Sequence, residues 1–361
     1  MGVTRISDWR QSFDAIIDVR SPAEFEDDHI PGAVSLPALS NEERAEVGTL
    51  YKQHSAFEAR KIGAALVSRN LARHIETYFM DKPGGFRPLI YCWRGGQRSG
   101  SVALVLAEIG FLPHTLEGGY KRYRQDVITQ LETDPARFRF RIVAGQTGTG
   151  KTRFLEALAA AGGQVLDLEG LANHKGSMFG LRPGDFQPSP RSFDSRLAAA
   201  LRGFDPARPV WVESESPKIG QLFVPQHLHR ALRGADSIRL SAPIEARVAH
   251  SIADYQDWFD QPDAIRERLE RLTYRHGHEV IGRWLSLLDA RDWQGLVRAL
   301  LVEHYDPAYA GSASAYGWDQ GEPLVLSDLS PARMEKAARD TLDRFPLSLT
   351  TSAALNGARA D

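Results

Sequence analysis

The chain has 361 residues, of which 42% are hydrophobic and 25% charged, with a formal net charge of −2. That length exceeds one ordinary core and predicts two or three globular domains, while the near-neutral charge excludes a globally basic nucleic-acid binder but not a local basic groove. A single cysteine excludes an intramolecular disulfide, no apolar run approaches the roughly 18 residues that span a bilayer, and "MGVTRISDWRQSFDAIIDVR" lacks a signal-peptide core, so a cytoplasmic protein without membrane association is expected.

In chain order, "AIIDVR" and "PLIYC" read as strands buried on both faces. "SGSVALVLAEIG" follows as a helix stopped by Gly110, and "HTLEGG" as a short strand entering a turn. Strand–loop–helix repetition predicts a parallel sheet with its working loops at the strands' carboxyl ends. Pro135 breaks the pattern. Beyond it, Arg139 to Ala144 reads as a strand, Thr152 to Ala161 as a helix, and "QVLDLEGLA", "RPVWVESES" and "SIRLSA" as further strands. From Pro243 the pattern turns helical. The expected organisation is an α/β chain with a first domain over 1–133, a second over 134–242, a helical region over 243–345 completing it, and a tail over 346–361.

Cys92 ends an apolar strand and precedes Trp93, Arg94, Gly95, Gly96, Gln97 and Arg98, with a helix beginning soon after. Such a turn aims backbone N–H groups at one point near the positive end of a helix, which with two arginines favours a nucleophilic thiolate. "CWRGGQRS" resembles the active-site loop of rhodanese domains, whose cysteine carries a transferable sulfur or selenium atom. "IIDVRSPAEFEDDHIPGAVSLP" (Ile16 to Pro37) is similar to the other rhodanese signature, with Asp28 where many rhodaneses have glycine, and "LEGGYKRY" (Leu116 to Tyr123) to the segment that closes the domain.

"GQTGTGKT" fits G-x-x-x-x-G-K-[ST] through Gly145, Gly150, Lys151 and Thr152, with Gly148 inside the loop. Its glycines let backbone N–H groups wrap a phosphate, and Lys151 supplies a point charge. If magnesium is used, Thr152 would reach it, with Glu213 or Glu215 of "PVWVESES" as the organising carboxylate. The loop by itself does not distinguish a nucleotide from another diphosphate ester. His174 and Lys175, in a glycine-bearing loop, are supporting candidates, and of Asp167 and Glu169 at most one faces the site if "VLDLEG" is a strand.

A rhodanese-like parallel-sheet domain followed by a P-loop α/β domain with a helical C-terminal region resembles the bacterial tRNA 2-selenouridine synthase family. "LDLEGLANHKGSMFG", "VWVESESPKIG" and "HYDPAY" agree with that resemblance. It implies an enzyme that replaces the sulfur of wobble 2-thiouridine, at position 34 of tRNAs for lysine, glutamate and glutamine, with selenium from selenophosphate. It also implies S-geranylation of that sulfur by geranyl diphosphate. No tightly bound cofactor is implied; the partners are tRNA through its anticodon arm and a selenophosphate synthase as donor. On this reading Cys92 carries selenium as a selanyl sulfide, with Arg94 and Arg98 balancing its charge, and the P-loop grips the diphosphate beside an apolar prenyl pocket. Arg266, Arg268, Arg271, Arg275 and Arg283 make 243–345 the candidate tRNA-docking surface, with Arg268, Arg271 and Arg275 on one helical face. The alternative is a rhodanese sulfurtransferase fused to an ATP-binding kinase or NTPase. A redox-sensing or phosphoprotein-binding module is disfavoured by the presence of Cys92.

Overall fold

A computed structural model describes residues 2–345, so the expected tail, 346–361, lies outside the described residues. The chain forms two compact units. A single boundary at 133/134 does not describe the division: Met1–Gln130 and Pro188–Ala199 make the first unit, and Leu131–Gln187 with the chain from Ala200 onward makes the second.

The first unit is built on five parallel strands, β1 (Thr4–Ile6), β2 (Ala15–Asp18), β3 (Val34–Ser35), β4 (Pro88–Tyr91) and β5 (His114–Leu116), in the order β1-β5-β4-β2-β3. β4 is wholly buried, which is why "PLIY" has no polar alternation. Ile17 pairs with Ile90 and Asp18 with Tyr91, so the loops after β2 and β4 leave the sheet at one edge. Between β3 and β4 the chain folds as helices Asn41–Gln53 and Ala56–His74. Ser40 and Glu43 close a capping box on the first, and Ser55 caps the second. Val67 and Leu71 then join Ile17, Ile90 and Leu106 in one core.

The returning segment lies in helix Pro190–Arg202, whose residues up to Ala199 group with the first unit. Asp28 explains its attachment. Its buried carboxylate accepts from Tyr120 Oη at 2.8 Å and Ser195 Oγ at 2.9 Å. A position that departs from the rhodanese signature is thus a polar anchor for a helix more than 160 residues away in sequence, as the Asp28–Ser195 separation of 167 shows.

The second unit has a parallel sheet of β6 (Phe140–Gly145), β7 (Gln164–Leu166), β8 (Val210–Glu213), β11 (Asp236–Ser241) and β12 (Glu322–Val325), ordered β12-β11-β6-β8-β7. A separate antiparallel pair joins β9 (Lys218–Ile219) to β10 (Leu222–Phe223). β12 corrects the wholly helical expectation for 243–345. Pro323 removes one N–H, which an edge strand tolerates, and this obscured the strand in the sequence. The last helix, Pro331–Arg344, packs Met334, Ala338 and Leu342 against Phe154 and Leu158 of the P-loop helix Lys151–Ala160. Helices between Ile244 and Ala299 bury Trp258, Ile265, Trp284 and Leu296 in their own cluster.

The arginine stripe expected there is not a stripe. Helix Pro262–Glu270 ends before Arg271, and Thr273–Asp289 is broken at Gly277, so Arg268, Arg271 and Arg275 do not share one helix. Arg268 donates to Met178 O at 3.0 Å and lies over Trp258 at 4.2 Å, while Arg266, Arg271 and Arg283 pair with Asp289, Glu267 and Glu303. Most of this positive charge is already engaged.

Candidate active sites: a thiol loop and a phosphate cleft

Cys92 directly follows β4, the middle strand of the first sheet. Its Sγ accepts from Gly96 N–H and Ser99 Oγ, each at 3.3 Å. Burial pushes the thiol up, but the Ser99 and Gly96 hydrogen bonds and the Arg98 charge pull it below the ordinary thiol value. Cys92 is 4% exposed. "LEGGY" supports the loop from beneath: Tyr120 N–H donates to Cys92 O at 2.8 Å and Lys121 N–H to Trp93 O at 3.0 Å. Gly119 is required there, since a Cβ on it would stand 2.2 Å from Cys92 O.

The charges around the thiol differ from expectation. Arg98 binds Glu24 at 2.9 Å, with Arg44 on the same carboxylate at 3.1 Å. Burial opposes Glu24's ionisation, but these cations hold its carboxyl down at about 2. Arg98 therefore acts on the sulfur from within an ion-pair network. Arg94 is exposed, as are Gln97 and Gly96; Gly95 is half-buried, and Trp93 lies on Tyr120 with centroids 5.2 Å apart.

In the second unit the P-loop leaves β6 at the centre of the sheet and opens the helix Lys151–Ala160. Gly148 has φ +80°, and a Cβ there would meet Ser251 Oγ at 2.6 Å and Arg247 O at 3.1 Å. Lys151 Nζ donates to Gly145 O at 3.0 Å, at the mouth of the strand. Arg247 sets the loop's tip: 4% exposed, it donates through Nε and Nη2 to Thr147 O at 3.0 and 2.8 Å. Asp306 accepts from Nη2 at 2.6 Å and from Nη1 at 3.1 Å, which gives the acid of "HYDPAY" its role.

A cleft of about 550 Å³ opens over this loop, lined by Gly148, Gly150, Lys151 and Thr152 and by Glu169, Lys175, Glu215 and Tyr305 among others. Glu169, rather than Asp167, faces it. The strand stops at Leu166, Asp167 caps the next turn by accepting from Gly170 N–H at 2.7 Å, and Glu169 Oε2 accepts from Thr152 Oγ1 at 3.2 Å. Glu213 lies behind, 3% exposed, accepting from Glu169 N–H at 2.9 Å. Of the two acids expected beside Thr152 for magnesium, Glu215 lines the cleft and Glu213 does not. Among the described residues no group of three His, Cys, Asp or Glu side chains is arranged to hold a metal. Burial and the charges of Glu215 and Glu213 raise Glu169 well above the usual carboxylate range; burial likewise raises Glu215, with Lys151 opposing. Lys175 reaches the cleft and pairs with Asp254 at 2.7 Å, whereas His174 braces the loop by accepting from Gly176 N–H at 3.1 Å.

Beside this cleft is a second cavity, about 70 Å³, with apolar walls from Phe179, Trp258, Ile265, Leu296 and Leu300. It shares Thr147, Ser251, Tyr255 and Tyr305 with the phosphate cleft. A polar cleft and an apolar slot thus meet at the P-loop's tip. Arg247, Ser251, Tyr255 and Trp258 were not visible as site residues in the sequence. The one signal was Arg247 on the apolar side of a helix beside Val248 and Ser251.

Comparison with known proteins assigns both halves. Residues 138–319 match the tRNA 2-selenouridine synthase AAA domain, and residues 4–126 match the rhodanese-like domain. A tRNA 2-selenouridine synthase of Hahella chejuensis (strain KCTC 2396) is 35% identical over 328 residues, covering 82% of this chain and 84% of the relative. The chain belongs to the tRNA 2-selenouridine synthase family. Members so described from Marinobacter nauticus (strain ATCC 700491 / DSM 11845 / VT8) and Shewanella halifaxensis (strain HAW-EB4) are 33% and 36% identical, covering 86% and 84% of this chain and 90% and 91% of their own lengths. Among the described residues no helix is long and apolar enough to cross a membrane.

Proposed function

We propose that the chain is a tRNA-modifying transferase that converts wobble 2-thiouridine in tRNAs for lysine, glutamate and glutamine to 2-selenouridine. Selenophosphate supplies the selenium, and geranyl diphosphate activates the sulfur. The observation that supports this reading is the apolar cavity opening from the P-loop's own tip at Thr147, where the substituent of a gripped diphosphate would lie.

The chemistry accounts for two loops. A thiocarbonyl sulfur leaves C2 reluctantly. When it attacks C1 of geranyl diphosphate, an S–C bond forms, the C–O bond breaks, pyrophosphate departs and N3 loses its proton. Lys151 and the loop amides stabilise the developing charge on pyrophosphate. The selenium of selenophosphate then attacks C2, the C2–S bond breaks and geranylthiolate leaves; water cleaves the Se–P bond, so phosphate departs and 2-selenouridine remains. The Cys92 loop, with its Gly96 and Ser99 donors, holds the incoming selenium donor.

Mass spectrometry of tRNA nucleosides separates the steps. Cys92→Ala should abolish 2-selenouridine and let S-geranyl-2-thiouridine accumulate, while Lys151→Ala should remove both products. Normal geranylation by the Lys151 variant would end the P-loop assignment. The rival, an ATP-dependent sulfurtransferase, requires tight ATP binding and phosphate release on mixing with tRNA, both directly measurable.

A further inference from the structure

The phosphate cleft continues past the P-loop. Beyond Thr152 it is lined by Arg153 and Glu156, and by Lys175, Arg182, His250 and Asp254. Lys175 is matched by Asp254 at 2.7 Å and Arg182 by Asp257 at 3.4 Å. Arg153 has no carboxylate partner among the described residues, and it is half-buried on the helix that begins at Lys151. Its charge falls on His250, whose buried Nδ1 has no hydrogen-bond partner among the described residues. An unmatched cation beside a histidine in the lining of one polar cleft points to a polar, anionic ligand there. The P-loop's diphosphate is provided with Lys151 and the loop amides, and the apolar cavity takes its own lining from Phe179, Trp258 and Leu296 instead.

We infer that Arg153 and His250 form a second anion subsite, which takes an RNA phosphodiester next to the nucleotide being modified. The inference rests on the proposed function, because it places the acceptor nucleotide in the same cleft as the diphosphate donor. Arg153 binds a phosphate oxygen, and His250 supplies a hydrogen bond to the same phosphate or its ribose. Glu156, exposed beside the cleft, repels non-specific polyanion, so productive entry is limited to a strand threaded along the cations.

The test uses the full-length chain with two probes, inorganic pyrophosphate and a synthetic RNA hairpin carrying 2-thiouridine in its loop. Arg153→Ala should weaken hairpin binding about tenfold, as expected for one lost charged hydrogen bond. It should also lower the slope of log affinity against log salt by about 0.7, the contribution of one single-strand phosphate. Pyrophosphate affinity should stay unchanged, and Arg153→Lys should restore part of the hairpin binding. Loss of pyrophosphate binding instead would assign Arg153 to the P-loop's own ligand, and an unchanged hairpin affinity and slope would place the RNA elsewhere. ATP binding that disappears with Arg153 would make the subsite one for a nucleotide's phosphate. Failure of the proposed function is separately visible as a wild-type chain that binds neither probe.

Discussion

Glu213 ends β8 with 3% exposure and no cation against it. Burial and the nearby charge of Asp167 push its carboxyl to about 8, although the Glu169 N–H bond opposes this. In the unfolded chain the same group titrates near its ordinary 4.5. Folding therefore binds a proton between those values, and stability falls as pH rises through that window. Glu213→Gln keeps an acceptor for the Glu169 N–H and removes the charge. Its stability should match wild type near about pH 4.5 and exceed it increasingly toward about pH 8, by a difference on the order of a few kcal/mol. Thermal scans across that range check this; a difference independent of pH would show that Glu213 is not the group being titrated.

The P-loop is shaped by elements distant in sequence. Arg247 of helix Ile244–Asp254 fixes Thr147 O, and Asp306, which opens helix Asp306–Tyr316, fixes Arg247. Arg247→Ala leaves Asp306 without its partner and should destabilise the second unit by about 3 kcal/mol. Arg247→Ala with Asp306→Ala should recover much of that stability without recovering pyrophosphate affinity. Calorimetry and pyrophosphate titration together distinguish a positioning role from mere support: recovery of both would deny it. Gly148→Ala tests the same tip from the other side. A left-handed alanine costs about 1–2 kcal/mol, and its Cβ must push aside Ser251. Pyrophosphate affinity should fall at least about tenfold while the fold persists.

At the scale of the whole chain, the two units are not two consecutive segments. Residues 188–199 leave the second unit's sequence and group with the first, where Ser195 meets Asp28 and Arg124 meets Asp194. Phe193, Leu197 and Ala198 are buried there. A fragment starting at residue 134 would uncover those apolar side chains and should self-associate on size-exclusion chromatography. The same fragment with Phe193 and Leu197 changed to serine should run as a monomer. A monomeric unmodified fragment would show that this segment does not need the first unit.

Both loops were legible in the sequence because each depends on local backbone rules. A buried strand, a glycine turn and a helix start occur within a dozen residues, so Cys92 to Ser99 and Gly145 to Thr152 announce the sulfur's donors and the phosphate grip directly. The parallel sheets also followed from unbroken apolar runs. What only the tertiary structure decided is the set of partners that long-range packing assembles: Arg247 with Asp306, Thr152 with Glu169, Asp28 with Ser195, and the apolar cavity beside Thr147. Arg266, Arg268, Arg271 and Arg283 are engaged by neighbours for the same reason. Charge in a sequence says nothing of which carboxylates, carbonyls and rings will be folded against it, and those neighbours determine whether a cation is left to bind a ligand.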